Sequence, residues 1–267
     1  MNLIHLSTLD LSLTAILILL LAGLSWLLRL GIGKDTLIAA VRTTVQLLLV
    51  GFVLKIVFAH AAIGWVGLMA IVMLLAAGRE VMVRQKRRLS GAWGFAVGTG
   101  SMFVSTFAIT IVVLIAVIGI KPWYEPQYSI PLLGMMLGNT MTGIALGMDY
   151  LSNSAWQHKS IIEGRLALGQ DWQQAIADIR RDSMRIGMMP MINAMAAAGL
   201  VSLPGMMTGQ ILSGSPPMEA VKYQILIMFM ISAGTGFGTM AAVWMTARRL
   251  FDERERLRLD RLTKPRR

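Results

Sequence analysis

Two kinds of chemistry are legible in the residue types and their spacing. Arg42 and Gln46, one helical turn apart, together with Asn139 and Asn193, stand inside long apolar runs. A polar group there costs free energy unless it is satisfied. Each of the four therefore bonds a neighbouring helix or faces a hydrated route, and the sequence leaves both readings open. The second chemistry is mechanical. Glu163-Gly164-Arg165-Leu166-Ala167-Leu168-Gly169 reads as a short helix stopped by glycine between two apolar runs. A rigid helix of this kind plugs into a partner's groove and carries its motion, as a floppy loop cannot. An ordinary inter-helix linker is the alternative.

Catalytic patterns are missing. The chain has no cysteine, which excludes disulfides, thiolate zinc sites, iron–sulfur clusters and cysteine nucleophiles. His5, His60 and His158 lie at or beyond the ends of different apolar runs and form no H-E-x-x-H pair. Gly33-Lys34 is followed by Asp35 and lacks the earlier glycine of a phosphate-cradling loop, so the chain carries no ATPase site of its own. Asp149 is the single acid well inside an apolar run, and it lies near one end, which argues against a proton-coupled carrier. The 21 methionines suit packing between sliding helices. As thioether ligands they would favour Cu(I) over iron, and no metal-ligand set can be named.

These residues are positioned by an all-α, polytopic membrane protein. Of the 267 residues 55% are hydrophobic and 15% charged, where a soluble domain carries roughly a quarter charged. Windows long enough to cross a bilayer fall near 11–28, 37–58, 61–77, 93–118, 130–150, 186–212 and 223–247, about seven transmembrane helices. Lys and Arg number two in 29–36, five in 79–90, five in 152–185 and nine in 248–267. With seven alternating spans these stretches share one side, placing the N-terminus outside and the C-terminus in the cytoplasm. The net charge of +11 thus describes topology, not nucleic-acid binding. The first run has Asp10 where a leader's basic region would stand, so it reads as a retained span. Trp123, Tyr124 and Tyr128 read as an outer aromatic belt.

One membrane domain, 1–250, with a long cytoplasmic loop at 152–185, is followed by a basic tail, 251–267. In the loop, Asp171 and Gln174 form a capping-box-like start for an amphipathic helix carrying Trp172, Ala175, Ile176 and Ile179. The tail from Asp252 reads as a short charged helix ending before Pro265, with a solvated or lipid-headgroup face. Gly134 and Gly138 make a G-x-x-x-G that lets two helices approach closely. Pro204-Gly205 removes a backbone donor deep in an apolar run, so the helix should break or kink there. Such a break lines a watery path or gate, or is a purely structural kink.

Three stretches carry a family resemblance: the Glu163 loop, Pro131 to Met141 (P-L-L-G-M-M-L-G-N-T-M), and Gly199 to Gly214 (G-L-V-S-L-P-G-M-M-T-G-Q-I-L-S-G), continuing through Tyr223-Gln224-Ile225. Together they resemble the FetB-like (UPF0014) family of ABC-transporter permeases, associated with iron export, over nearly the whole chain. The loop is similar to the EAA loop of ABC permeases, with its alanine pair replaced by Gly164 and Arg165. The resemblance implies a permease of the bacterial inner membrane, paired with a separate ATP-binding subunit that holds ATP and Mg. One permease gene and one ATPase gene would imply two copies of each by symmetry. Glu163, Gly164, Arg165, Leu168 and Gly169 would couple to the ATPase, and no cofactor would be bound by this chain. Arg42, Gln46, Met135, Met136, Asn139, Asn193, Pro204, Gly205, Met206 and Met207 would line the path. The expected cargo is iron or another metal species; a small organic or nucleotide-sugar cargo, and an ATP-independent channel, are the alternatives.

Overall fold

The computed structural model describes residues 7–60 and 62–264, so His5 and Pro265 lie outside the described residues, as does the His60 side chain. The chain divides into two compact units, Met1–Ala62 with Leu212–Gly214, and Ile63–Ile211 with Ser215–Arg267. The first is a hairpin of α1 (Thr8–Leu27) and α2 (Gly33–His60). Ser7 opens α1 with a reciprocal capping box: its hydroxyl accepts from the Asp10 N–H at 3.3 Å, and the Asp10 carboxylate accepts from the Ser7 N–H at 2.8 Å. Nearly every large apolar side chain of the hairpin is exposed. Exposed apolar helices of this length suit lipid as solvent.

The second unit is a bundle. Its elements are α3 (Ile63–Arg84), α4 (Trp93–Met102), α5 (Ala108–Val112), α6 (Pro126–Gln157), α7 (Lys159–Ala167), α8 (Trp172–Ala175), α9 (Ala177–Ala197), α10 (Gly205–Leu212) and α11 (Pro217–Arg249). Two π-helical turns, Phe103–Phe107 and Val113–Ile118, join α4 and α5 into one run ending at left-handed Gly119. Among the described residues no strand forms, only isolated bridges. Also among them, six helices are long and apolar enough to cross a membrane: Leu9–Leu27, Gly33–Ala59, Ile63–Arg84, Trp93–Ile118, Pro126–Gln157 and Pro217–Arg249.

The run expected as a single span at 186–212 is instead two helices. At the end of α9 the chain turns through Gly199 at φ +81°, with the Gly199 N–H on the Ser202 carbonyl at 2.9 Å, and α10 starts at Gly205. The break at Pro204-Gly205 therefore forms, spread over 198–204. The loop expected at 152–185 is mostly helix as well. At 32 residues α6 is about 48 Å long at ~1.5 Å per residue, far more than the ~30 Å of a hydrocarbon core. It runs on to Gln157, and α9 already begins at Ala177, so its charged first turns, with Arg180, Arg181, Asp182 and Arg185, lower its hydropathy below that of a span.

Close helix packing sits elsewhere than expected. A Cβ on Gly138 would meet nothing within 4 Å, and one on Gly134 only the flexible end of Met73 at 3.1 Å. Backbone itself blocks a Cβ at Gly143 and Gly147 of α6 and at Gly187 of α9, where Thr235 and Thr239 of α11 also pack. Small residues let α6 and α9 approach backbone to backbone, with threonine side chains of α11 closing the crossing, which is how helices associate where lipid removes the hydrophobic drive.

Candidate coupling surface and translocation path

One end of the second unit gathers three of the basic stretches. Arg87 stacks over Trp156 at 4.0 Å, Arg249 over Trp93 at 4.3 Å and Arg248 over Trp172 at 5.6 Å. Paired tryptophan and arginine mark a boundary where one face is apolar and the other wet.

The short helix α7 projects from this end. Ile162, 1% exposed, anchors it, while Glu163 and Gly164 face outward. The Gly169 N–H bonds the Leu166 carbonyl at 3.0 Å and the Gln170 N–H that of Arg165 at 3.2 Å, and left-handed Gly169 at φ +85° stops the helix as expected. Leu168, 85% exposed, stands at the tip. Arg165 points the other way: its Nη2 donates to Asp178 Oδ2 at 2.9 Å and its Nη1 to the Ala175 carbonyl at 3.3 Å. It holds α7 against the start of α9. The Asp171 cap forms, its carboxylate accepting from the Gln174 N–H at 2.7 Å, but the helix it starts is the single turn α8, interrupted at Ile176 before α9.

The tail expected to be a charged helix is a strap. After α11 the Asp252 carboxylate accepts from the N–H of Arg254 at 3.0 Å, the N–H of Arg256 at 2.9 Å and Arg256 Nε at 2.9 Å. Those bonds, from the Arg256 backbone first, hold its carboxyl below the usual carboxylate range against the opposing effect of burial. The Arg258 N–H then bonds the Leu250 carbonyl at 2.7 Å, the Ser90 N–H the Arg261 carbonyl at 2.7 Å, and the Thr263 N–H the Arg88 carbonyl at 2.9 Å. Leu259 and Leu262 are buried. Local charge pairs suggested a helix; only a single 3-10 turn, Leu259–Arg261, forms, and burial of two leucines with satisfaction of backbone groups on the α3–α4 loop favours the strap. Its residues Glu253 to Arg258, Glu163 of α7 and Gly169 just beyond that helix wall a cleft of about 890 Å³.

The expected path residues separate into four groups. Arg42 and Gln46 lie on α2 of the first unit, both exposed. Met136 is fully buried and packs against Gly234, and the half-buried Met206 packs against the buried cluster that includes Leu114 and Met191. Met135 is half-buried, and its carbonyl accepts from Asn139 Nδ2 at 2.8 Å. Asn139 and Asn193 are both exposed. The Gly143–Gly187 and Gly147–Ser183 contacts make α6 and α9 antiparallel, so these two amides sit within roughly 3 Å of the same depth. Beside Asn139, Thr142 accepts from Arg84 Nη1 at 3.3 Å, giving α3 and α6 an exposed polar stripe.

Pro204 and Met207 form the last group. They line a cavity of about 390 Å³ with Met195, Gln224 and Met228. Gly205 is exposed, and a Cβ added to it would meet nothing within 4 Å, so no other segment approaches its backbone closely. Arg84, Gln224 and Met228 were not anticipated. Gln224 carried the same signal as Asn139, an amide in an apolar run.

A bundle of long apolar helices, ending in a basic and tryptophan-rich surface, defines a multi-pass α-helical membrane protein. The chain belongs to the family described as Uncharacterised protein family (UPF0014), whose model matches residues 8–251. It is 35% identical over 234 residues to the UPF0014 membrane protein slr1647 of Synechocystis, covering 85% of this chain and 87% of that one. It is 33% identical over 250 residues to the UPF0014 membrane protein YjkA of Bacillus subtilis, covering 94% and 98%. It is 31% identical over 268 residues to the "probable iron export permease protein FetB" of Escherichia coli, covering 99% and 100%. No solved structure matches the chain.

Proposed function

We propose that this chain is the membrane permease subunit of an ABC transporter that moves iron or another metal species outward, using ATP and Mg held by a separate subunit. The observation that carries this reading is α7: a rigid, glycine-stopped helix with Glu163 and Leu168 exposed at the basic end of the bundle. The likeness to FetB along the full length supports the cargo class. The basic end faces the cytoplasm of a bacterial cell, and α7 docks in a groove of the ATPase there. Rigid-body movement of α7 then reaches α6 and α9 directly, with Arg165 as the tie to α9.

Two permeases build the complex. Gly138, Asn139 and Arg84 are exposed on one protomer, and polar groups at membrane depth need protein or water beside them, not lipid. A second copy covers that stripe and closes the path.

The test is co-purification with the neighbouring ATP-binding subunit, followed by flux in loaded vesicles with ferrous and ferric iron, other divalent metals and a nucleotide sugar. Glu163→Lys should uncouple cargo from ATP hydrolysis. Movement of the sugar but of no metal would transfer the reading to an organic cargo, and movement without ATP would leave a channel.

A further inference from the structure

Where α4 begins and α11 ends, Trp93, Trp244, Arg248, Arg249 and, from the strap, Arg261 line a pocket of about 380 Å³ that neither the coupling helix nor the expected path uses. It lies at a membrane boundary, since Trp93 is the first residue of one candidate span and Arg249 the last of another. Both indoles are exposed. From the pocket an apolar face leads along each helix toward membrane depth. On α11, Met240 and Phe237 stand one and two turns before Trp244 and are exposed, and on α4 so are Ala96 and Gly100, one and two turns after Trp93. A Cβ on Gly100 would meet nothing within 4 Å, so that face is open.

The two guanidiniums at the end of α11 have donors to spare. Arg249 lies over Trp93 at 4.3 Å, and Arg248 reaches only the carbonyls of Phe251 and Asp252, both at 3.5 Å, beyond the usual length of a hydrogen bond. Among the described residues neither forms an ion pair. Stacking on an aromatic face leaves the guanidinium N–H groups for an acceptor, and their fork matches the oxygens of a phosphate. Arg261 donates to the carbonyls of Arg249 and Phe251 at 2.8 and 3.2 Å, which fixes the strap beside them. Two carboxylates also take part in the lining. Asp252 is already matched by Arg256 at 2.8 Å, so the exposed Glu253 is the one opposing charge. A soluble anion would leave the apolar faces of α4 and α11 unused, and an uncharged lipid would leave the arginines unused.

We propose that this pocket binds one anionic phospholipid, its phosphate on Arg248 and Arg249 and its acyl chains along α4 and α11 toward Gly100 and Phe237. Basic pockets between spans hold lipid headgroups in this way, and each arginine beside an anionic lipid contributes about fivefold in affinity. The site needs neither cargo nor the ATP-binding subunit, so it stands whatever the transporter carries.

The test is native mass spectrometry of the full-length protein, released from detergent micelles that hold equal amounts of phosphatidylglycerol and phosphatidylcholine with the same acyl chains. The protein should retain one phosphatidylglycerol in preference to phosphatidylcholine by about tenfold, the effect of two arginines less that of Glu253. Arg248→Gln combined with Arg249→Gln should abolish the preference. Arg181→Gln combined with Arg185→Gln, which removes the same charge from exposed positions on α9, should leave it intact. Trp244→Ala, which removes an apolar wall and no charge, should weaken retention of both lipids. Equal retention of the two lipids by the unaltered protein would overturn the proposal with no variant involved. A preference that survives loss of Arg248 and Arg249, or that vanishes in the α9 variant, would overturn it as well, as would unchanged retention in Trp244→Ala. Displacement of phosphatidylglycerol by excess inorganic phosphate would make this a site for a soluble anion and refute the lipid assignment.

Discussion

Gly143 on α6 and Gly187 on α9 meet backbone against backbone: a Cβ on Gly187 would stand 2.6 Å from the Gly143 carbonyl oxygen, and one on Gly143 2.9 Å from that of Gly187. No L side chain fits that distance without moving a helix. Thr239 of α11 closes the same crossing, its Cγ2 lying 2.6 Å from the Gly187 Cβ position. Three helices are thereby locked at one point, between the proposed coupling surface and the cavity near Gln224.

Gly187→Ala and Gly143→Ala should each destabilise the bundle by about 1–3 kcal/mol, through overpacking against backbone that cannot rotate away. Gly138→Ala and Gly205→Ala, where nothing lies within 4 Å, are the matched controls and should be near neutral. Thermal unfolding of the detergent-solubilised protein, followed by Trp fluorescence, separates the two pairs. Equal melting temperatures for all four would show that the crossing is not close-packed.

On α7, the tip and the tie should behave differently. Leu168→Asp removes an 85% exposed apolar contact and should weaken association with the ATP-binding subunit without altering the permease's own stability. Arg165→Ala frees Asp178 and the Ala175 carbonyl, so the complex should still assemble but lose cargo-stimulated ATP hydrolysis. Measuring pull-down and ATPase stimulation on both variants tests the division. Loss of assembly in Arg165→Ala with none in Leu168→Asp would reverse the assignment.

The strap should open in acid. The Asp252 carboxyl is held below its ordinary range, chiefly by the Arg256 backbone N–H, so the charged form is the one the fold favours. Its contribution is complete above the ordinary carboxylate range, about pH 4, and fades as the pH falls through the depressed value. Asp252→Ala should mimic that acid state at neutral pH. Hydrogen exchange at the N–H groups of Arg254 and Arg256 is the readout, and protection unchanged in Asp252→Ala would rule the cap out.

The absence of native cysteine makes labelling direct. Asn139→Cys and Asn193→Cys should react with a water-soluble thiol reagent in at least one nucleotide state of the complex, while Met136→Cys, at a fully buried position, should stay silent. If neither asparagine site labels in any state, both face lipid or a dry protein contact, and the path runs elsewhere.

Features that depend on neighbours in sequence were legible from the residues alone. The glycine stop of α7 needs only Gly169 at positive φ, the Asp171 cap needs only Gln174 three residues on, and the break before Gly205 follows from a proline without an N–H. The apolar runs likewise report their own helices, because a backbone in lipid must satisfy itself within one segment. What depends on a distant partner was not legible. The G-x-x-x-G at Gly134 and Gly138 had the spacing of a contact, but the contact formed at Gly143, where Gly187 and Thr239 arrive from other helices. The tail has the charge pattern of a helix, yet the carbonyls of Arg88 and Leu250 give its N–H groups better use as a strap. Local sequence sets which groups are present and which backbone turns are allowed; packing between remote segments decides which of those groups end up facing one another.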